Sequence, residues 1–306
     1  MTKPPNTGKM HEGEVETSAA LVRSLLTAQF PHWADLPLSR VQSAGTDNAI
    51  YRLGDDLAVR LPRIHWATGQ IDKEFRWLPR LAPLLPLTLP VPMAKGEPGE
   101  GYPWPWGVYT WLPGENATPA RLADPNQAAV DLAGFILALQ RIDPAGGPLP
   151  EPLGRGVPLA TRDAFTREHI ARLPGDLDAG TITAAWEHAL RAPAWDRPPV
   201  WIHGDLQAGN LLAAHGRLRA VIDFGALQVG DPACELAVAW RMLDAEAREV
   251  FRAALSCDEA TWARARGWAL SVAVVEVAYY LHTNPVMVAA ARHTLAEALS
   301  DHERGA

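Results

Sequence analysis

Val200-Trp201-Ile202-His203-Gly204-Asp205-Leu206-Gln207-Ala208-Gly209-Asn210-Leu211-Leu212 sets a polar segment between two apolar runs. Downstream, Ala220-Val221-Ile222-Asp223-Phe224-Gly225 closes a third apolar run with another carboxylate. The runs Val200 to His203, Leu211 to Ala214 and Leu218 to Asp223 are short, rich in residues that favour strands, and bounded by turn residues. A hairpin around Gly216 would bring Asn210 and Asp223 to neighbouring strand ends. An isolated H-G-D is usually a turn and an isolated D-F-G is common in loops, so the weight lies on their order and spacing together.

The residue types fit one chemistry. Two oxygen ligands from adjacent strand ends suit Mg²⁺, which takes one or two carboxylates and fills its octahedron with water and phosphate oxygens. Asp205, on the same loop, is placed to accept the proton of a hydroxyl that attacks a γ-phosphoryl group.

Working outward, the region before this island divides in two. Ser18 to Phe30 carries Leu21, Val22, Leu25 and Leu26 at helical spacing and stops at Pro31. Leu38 to Ala44, Ala49 to Leu53 and Leu57 to Leu61 read as strands, with a turn at Gly54 to Asp56. Ile71 to Leu85 reads as an amphipathic helix interrupted or kinked at Pro79. Two more strands, Val91 to Gly96 and Trp106 to Leu112, precede Pro113-Gly114. Helical segments then dominate: Asn126 to Ile142, Ala164 to Leu173, Ile182 to Arg191, Ala233 to Leu243, Glu246 to Leu255, Glu259 to His282, and a last one after Pro285. The expected fold class is α+β and bilobal: a tail and helix over 1–34, a small β-rich N-lobe over 35–113, and a larger, mainly helical C-lobe over 114–306. A cleft between two such lobes is a common ligand site.

At this point the residues resemble a known family. His203-Gly204-Asp205 followed by Asn210, then Asp223-Phe224-Gly225, resembles the catalytic and metal segments of the protein-kinase-like fold. Gly204 in place of a middle arginine, and the tail Val229-Gly230-Asp231-Pro232-Ala233-Cys234-Glu235-Leu236-Ala237, are similar to the aminoglycoside phosphotransferase family. The resemblance spans Ser43 to Trp240. It implies an enzyme, a kinase that moves the γ-phosphate of ATP or GTP to a hydroxyl of an aminoglycoside-like antibiotic or related metabolite, with Mg²⁺. It implies Asp205 as catalytic base, Asn210 and Asp223 as metal ligands, and His203 and Asp231 as structural support for the loop.

The nucleotide lobe matches less closely. Ser43-Ala44-Gly45-Thr46-Asp47-Asn48 is the best candidate for a phosphate-covering turn, through Ser43, Gly45 and Thr46, although it holds a single glycine. Where a strand lysine would hold the α- and β-phosphates, Leu57-Ala58-Val59-Arg60-Leu61 offers Arg60, with Glu74 on the next helix as its ion-pair partner. Lysine occurs only at Lys3, Lys9, Lys73 and Lys95. The hinge near Trp111 and Leu112 would meet the base through its backbone, which leaves ATP and GTP equally open.

The acceptor should lie over the helical lobe. Candidate carboxylates are Asp143, Asp163, Glu168, Glu235 and Glu276. Glu276 interrupts an apolar helix just before Tyr279 and Tyr280, so it meets either a ligand or an arginine such as Arg241 or Arg266. Twelve tryptophans, with Trp104, Trp106 and Trp111 clustered, suit core packing first and an aromatic wall for a macrolide second. Choline, homoserine and sugar kinases are rivals within the enzyme class. A catalytically silent nucleotide-binding scaffold is the rival outside it.

The bulk composition is compatible with all of these. A net charge of −7 argues against a general nucleic-acid binder. Two cysteines, Cys234 and Cys257, argue against a disulfide framework and favour the cytoplasm. Residues 1–16 lack a secretory pattern, and Trp268 to Leu281 is too short and too charged to span a bilayer. The partners expected are a nucleoside triphosphate and a small hydroxyl-bearing acceptor, with the oligomeric state left open.

Overall fold

The computed structural model describes residues 13–42, 45 and 47–305. Ser43 and Thr46, two of the candidate phosphate contacts, lie outside the described residues. Helix α1 (Ala19–Gln29) begins at Ser18, whose hydroxyl accepts the Leu21 N–H at 3.1 Å. Its Val22, Leu25 and Leu26 are fully buried against an antiparallel sheet. That sheet contains β1 (Leu38–Arg40), β2 (Asn48–Leu53), β3 (Leu57–Pro62), β4 (Pro92–Gly96) and β5 (Trp106–Thr110), in the order β1-β2-β3-β5-β4. Burial alternates along β2, as a sheet with one face on a core requires. Tyr51, Leu53, Val59, Leu61, Trp106 and Val108 form that core with α1.

Helix α2 (Thr68–Leu81) crosses between β3 and β4. Pro79 sits in its last turn, so the helix ends at Leu81 and a short 3-10 turn, Ala82–Leu84, completes the segment. Ile71, Trp77, Leu78 and Leu81 of α2 belong to the core of the C-lobe rather than to that of the sheet. Trp77 meets Trp201 edge-on with ring centroids 4.7 Å apart. Beyond α2 the chain bonds to the C-lobe hairpin: Thr88 N–H donates to Arg219 C=O at 3.0 Å and Val221 N–H to Thr88 C=O at 3.0 Å.

The C-lobe opens with β6 (Glu115–Asn116), α3 (Pro125–Gln140), α4 (Asp163–Ile170) and α5 (Ala179–Leu190). Four strands follow: β7 (Val200–Ile202), β8 (Leu211–Ala214), β9 (Arg217–Val221) and β10 (Gln228–Gly230). The chain then forms α6 (Ala233–Leu236), α7 (Val238–Met242), α8 (Ala245–Leu255), α9 (Glu259–Tyr280) and α10 (Pro285–Gly305). Strands β6, β8 and β9 form one small sheet, and β10 pairs antiparallel with β7. Helix α9 is buried along nearly its whole length and packs against α4, α5, α6, α7 and α10.

Two features depart from the sequence reading. The segment Ala233 to Leu243 is broken at Ala237 into α6 and α7. Strand β10 is three buried residues with too little length for a periodic signal, and its partner β7 is distant in the chain. Trp106, Trp186, Trp201, Trp240, Trp262 and Trp268 are fully buried and Trp77 is buried as well, so seven of the twelve tryptophans pack cores. Among the described residues, no helix is long and apolar enough to cross a membrane.

Candidate active site

Strand β7 feeds the segment His203 to Asn210 into the cleft, and three interactions fix its backbone. Gly204 has φ +82, and a Cβ there would lie 2.7 Å from the Ala226 carbonyl oxygen, so only glycine passes without a shift. Glu235, 2% exposed on α6, accepts the N–H groups of His203 and Gly204, one on each oxygen. His203 is fully buried; its Nε2 donates to Ile222 C=O at 3.0 Å and its Nδ1 accepts the Asp205 N–H at 3.2 Å. Those two roles together require the neutral imidazole, and burial holds the ring's pKa below its ordinary value. The same burial pushes the Glu235 carboxyl up to about 8, against the two N–H groups that favour its charge.

Asp205 is thereby aimed at the cleft with its side chain about one-third exposed, at 31%. Asn210 Nδ2 donates to its Oδ2 at 2.9 Å and to its backbone carbonyl at 2.8 Å. Gln207 Nε2 also reaches Oδ2, at 3.0 Å. With its amide nitrogen so occupied, the Asn210 amide oxygen takes no hydrogen bond from the described residues. The β8–β9 pairing continues into this position, where Ile222 N–H donates to Asn210 C=O at 2.9 Å. The next residue, Asp223, is left-handed at φ 61 and ψ 69, a conformation that costs a non-glycine residue about 1–2 kcal/mol. Such a cost persists where the surroundings over-determine the conformation.

Asp223 meets the N-lobe through Arg60, whose Nη2 lies 2.6 Å from its Oδ1. The other end of the Arg60 guanidinium contacts Glu74 of α2, and Nη2 also donates to Gln70 at 2.8 Å. Tyr109 Oη, on β5, donates to the second Glu74 oxygen at 2.7 Å. Burial works against the charge on Arg60, but Asp223, Glu74 and Tyr109 together hold its pKa above the ordinary value. Lys73, beside Glu74, gives its ammonium to Gly225 C=O at 2.7 Å, and burial lowers its pKa.

The donor set fits a magnesium ion. Asn210 presents an amide oxygen, and Asp223 presents a carboxylate 44% exposed with one oxygen left beyond the Arg60 contact. Hard oxygen donors, few in number and open to solvent, suit a cation that keeps waters and phosphate oxygens. Among the described residues no group of three His, Cys, Asp or Glu side chains gathers as a metal site, and magnesium requires no such group.

The remaining candidate residues fall in several places. Asp231 pairs in a buried setting with Arg264 at 2.9 Å and caps the Ala233 N–H at 2.9 Å; the carboxylate that reaches the His203–Gly204 backbone is Glu235. Trp111 and Leu112 are half-buried at the hinge, and the Trp111 N–H is already given to Asp56 C=O at 2.7 Å. Glu276 is clamped by Arg241 through two bonds of 3.0 and 3.2 Å, and Arg241 also donates to Gln207. Arg266 turns instead to Asp301, at 3.1 Å. Tyr279 is half exposed and stacks edge-on with Tyr280 at 4.9 Å. Asp163 accepts from Arg167 and Trp186, and Glu168 from Arg172. Gln70, Lys73, Arg155, Gln207 and Arg241 also reach the site; the sequence marks Arg241 only as a partner for Glu276 and Gln207 lies within the catalytic stretch, while Gln70, Lys73 and Arg155 carry no motif that marks them for it.

A family model described as the phosphotransferase enzyme family matches residues 40–268. No curated protein matches the chain. Among solved structures, the GDP complex of wild-type aminoglycoside 2'-phosphotransferase-IIIa aligns with a TM-score of 0.73 at 18% identity, covering 94% of this chain and 100% of that one. The GDP and kanamycin complex of APH(2")-IIia aligns with a TM-score of 0.73 at 19% identity, over 92% and 98%. Macrolide 2'-phosphotransferase MphH from Brachybacterium faecium, an apoenzyme, aligns with a TM-score of 0.60 at 23% identity, over 92% and 98%. These likenesses give the kinase-like fold, and the family match gives the class: the chain belongs to the phosphotransferase enzyme family and is a kinase-type phosphotransferase.

Proposed function

We propose that the protein transfers the γ-phosphoryl group of ATP or GTP to a hydroxyl of a small molecule, an aminoglycoside-like antibiotic or a related metabolite. One observation carries the reading. Asn210 holds the Asp205 carboxylate with its amide nitrogen while its backbone carbonyl accepts the N–H of Ile222, the neighbour of Asp223, so the base and both candidate metal ligands sit on adjoining, mutually bonded segments. Asp205 accepts the acceptor's proton as the hydroxyl attacks. Asn210 and Asp223 would hold Mg²⁺, which when bound neutralises phosphate charge. Arg60, anchored by Glu74, brings its positive charge to the inner phosphates. Gly45 is the backbone contact to the phosphates in this reading. In this reading the base meets the Trp111 C=O and the Leu112 N–H, which have no backbone partner among the described residues, whereas the Trp111 N–H is given to Asp56.

Glu276, Tyr279 and Tyr280 form the acceptor side in this reading. Because Arg241 neutralises Glu276, and arginines also pair with Asp163 and Glu168, a weakly charged acceptor such as a macrolide is the second reading, over a polycation. The setting we propose is the cytoplasm, where nucleoside triphosphate is available, and the consequence is antibiotic inactivation.

The test is incubation with Mg²⁺ and either ATP or GTP against aminoglycosides, macrolides, choline, homoserine and aminosugars, read by mass spectrometry. D205N should lower turnover by about 10²–10⁴-fold and leave nucleotide affinity unchanged. Wild-type turnover in D205N would remove Asp205 from the mechanism.

A further inference from the structure

Arg155 lies outside every motif, on the Gly/Pro-rich connection between α3 and α4, yet its Nη2 stands 3.7 Å from Asp205 Oδ1. The connection is tied down around it. The Gln228 side-chain amide donates to Arg155 C=O, Asp231 N–H donates to Gly156 C=O at 2.8 Å, and Val229 N–H donates to Pro148 C=O at 2.9 Å. Gly156 has φ +72, and a Cβ there would fall 2.6 Å from Ile202 Cδ1, on the strand that leads into His203. The Arg155 backbone is therefore locked to the same two strands, β7 and β10, that position the catalytic segment.

The charges around it are already engaged. Arg60 is held by Glu74, Gln70 and Asp223; Lys73 by Gly225 C=O; Arg162 by Ser271 and Leu153 C=O; Arg241 by Glu276 and Gln207. Arg155 alone among these cations donates no hydrogen bond to the described residues, and its side chain is 27% exposed to the cleft beside Asp205. A guanidinium with its planar fork of donors uncommitted, next to the group that removes the acceptor's proton, is placed to meet phosphate oxygens.

We propose that Arg155 is a catalytic residue that binds the phosphoryl group in flight from the acceptor side. This rests on the phosphotransferase reading above and adds a residue to it. In the transfer, the acceptor oxygen forms a bond to the γ-phosphorus and the bond from that phosphorus to the bridging oxygen breaks. The bridging electron pair leaves with the nucleoside diphosphate, and the acceptor's proton passes to Asp205. Negative charge spreads over the three equatorial phosphoryl oxygens. As Asp205 takes the proton its charge falls, and the phosphoryl group becomes the strongest anion facing Arg155. The interaction therefore strengthens along the reaction coordinate, which is the condition for accelerating the chemical step.

The test uses the full chain with R155A and R155K. Turnover is measured with the acceptor found by the screen and, separately, as nucleoside triphosphate hydrolysis with water as acceptor. R155A should lower kcat by about 10²–10³-fold in both, with nucleoside diphosphate affinity and Tm unchanged. R155K should recover only part of the rate, because an ammonium lacks the fork. Added guanidinium ion should restore part of the R155A rate, and R155A should lose affinity for the diphosphate–magnesium fluoride mimic of the transferring group but not for the diphosphate. Wild-type kcat in R155A overturns the proposal. So does a loss of diphosphate affinity or Tm matching the loss of rate, which marks a purely structural residue. If wild type turns over nucleotide, D205N does not and R155A does, only the Arg155 inference falls. If wild type and D205N are equally inert, the phosphotransferase reading falls and the inference with it.

Discussion

Replacing Arg60 by methionine separates what this residue does for folding from what it does for phosphate. Its side chain is 8% exposed and that of Glu74 is 2% exposed, so R60M leaves a carboxylate in the interior without its cation. Breaking a buried pair from one side costs about 3–5 kcal/mol, because the remaining charge is uncompensated. Here Tyr109 still donates to Glu74 at 2.7 Å, which places the expected loss at the lower end, about 3 kcal/mol. At roughly 2–4 °C per kcal/mol, Tm should fall by about 6–12 °C. Adding E74L removes the stranded charge, and the double variant should return to within about 1 kcal/mol of wild type, since apolar replacements of buried pairs are often neutral. Thermal and urea unfolding followed by tryptophan fluorescence read both effects, and a double-mutant cycle gives the coupling. Phosphoryl transfer should stay lost in R60M and in the double variant, as neither holds the phosphates. An R60M protein as stable as wild type, or a double variant no more stable than R60M, would refute the reasoning.

Two further outcomes follow from the catalytic segment. Burial raises Glu235 to about 8 from an ordinary 4.5, so its folded-state stabilisation is full below pH 4.5 and is lost as pH rises through about 8. The slope is at most about 1.4 kcal/mol per pH unit, and E235Q should abolish it. Neutral His203, with its lowered pKa, destabilises in the opposite direction as pH falls below 6.5, so the quantity to plot is wild type minus E235Q between pH 5 and 8.5. A difference flat across that range would show that Glu235 keeps its ordinary acidity. G204A forces a Cβ to 2.7 Å from the Ala226 oxygen in a left-handed conformation, so it should cost about 1–2 kcal/mol and lower kcat without changing nucleotide affinity. An unfolding curve and a kcat identical to wild type would count against the role given to that turn.

Where the chemistry is contiguous, the sequence is readable. Asp205, Asn210 and Asp223 lie on a short stretch whose apolar flanks announce strands, and the β-rich lobe before it is marked by alternation and turn residues. The lobes, the helices and the β8–β9 hairpin follow from local patterning. What patterning leaves out is burial and long-range partnership. Glu235 reads as one more carboxylate, and only the fold shows it enclosed beneath two backbone N–H groups. Arg155 reads as a loop charge, and Lys73 as a solvated position on a helix; neither has a local signal for the atom it approaches. Glu276 could be read two ways, and Arg241, far away in the chain, decides between them.

The seating of α2 sets how this machine can be controlled. Ile71, Trp77, Leu78 and Leu81 are sunk in the larger core, and withdrawing each would expose about 1.5–3 kcal/mol of apolar burial. Swinging such a helix outward to uncouple Glu74 from Arg60 would expose all four side chains at once. Glu74 rides on that helix and is bonded to Arg60 and Tyr109 of the sheet, so the pair ties the sheet to the larger core. The phosphate-facing arginine is thus braced by the core itself, with no hinge between the helix that fixes its charge and the body of the fold.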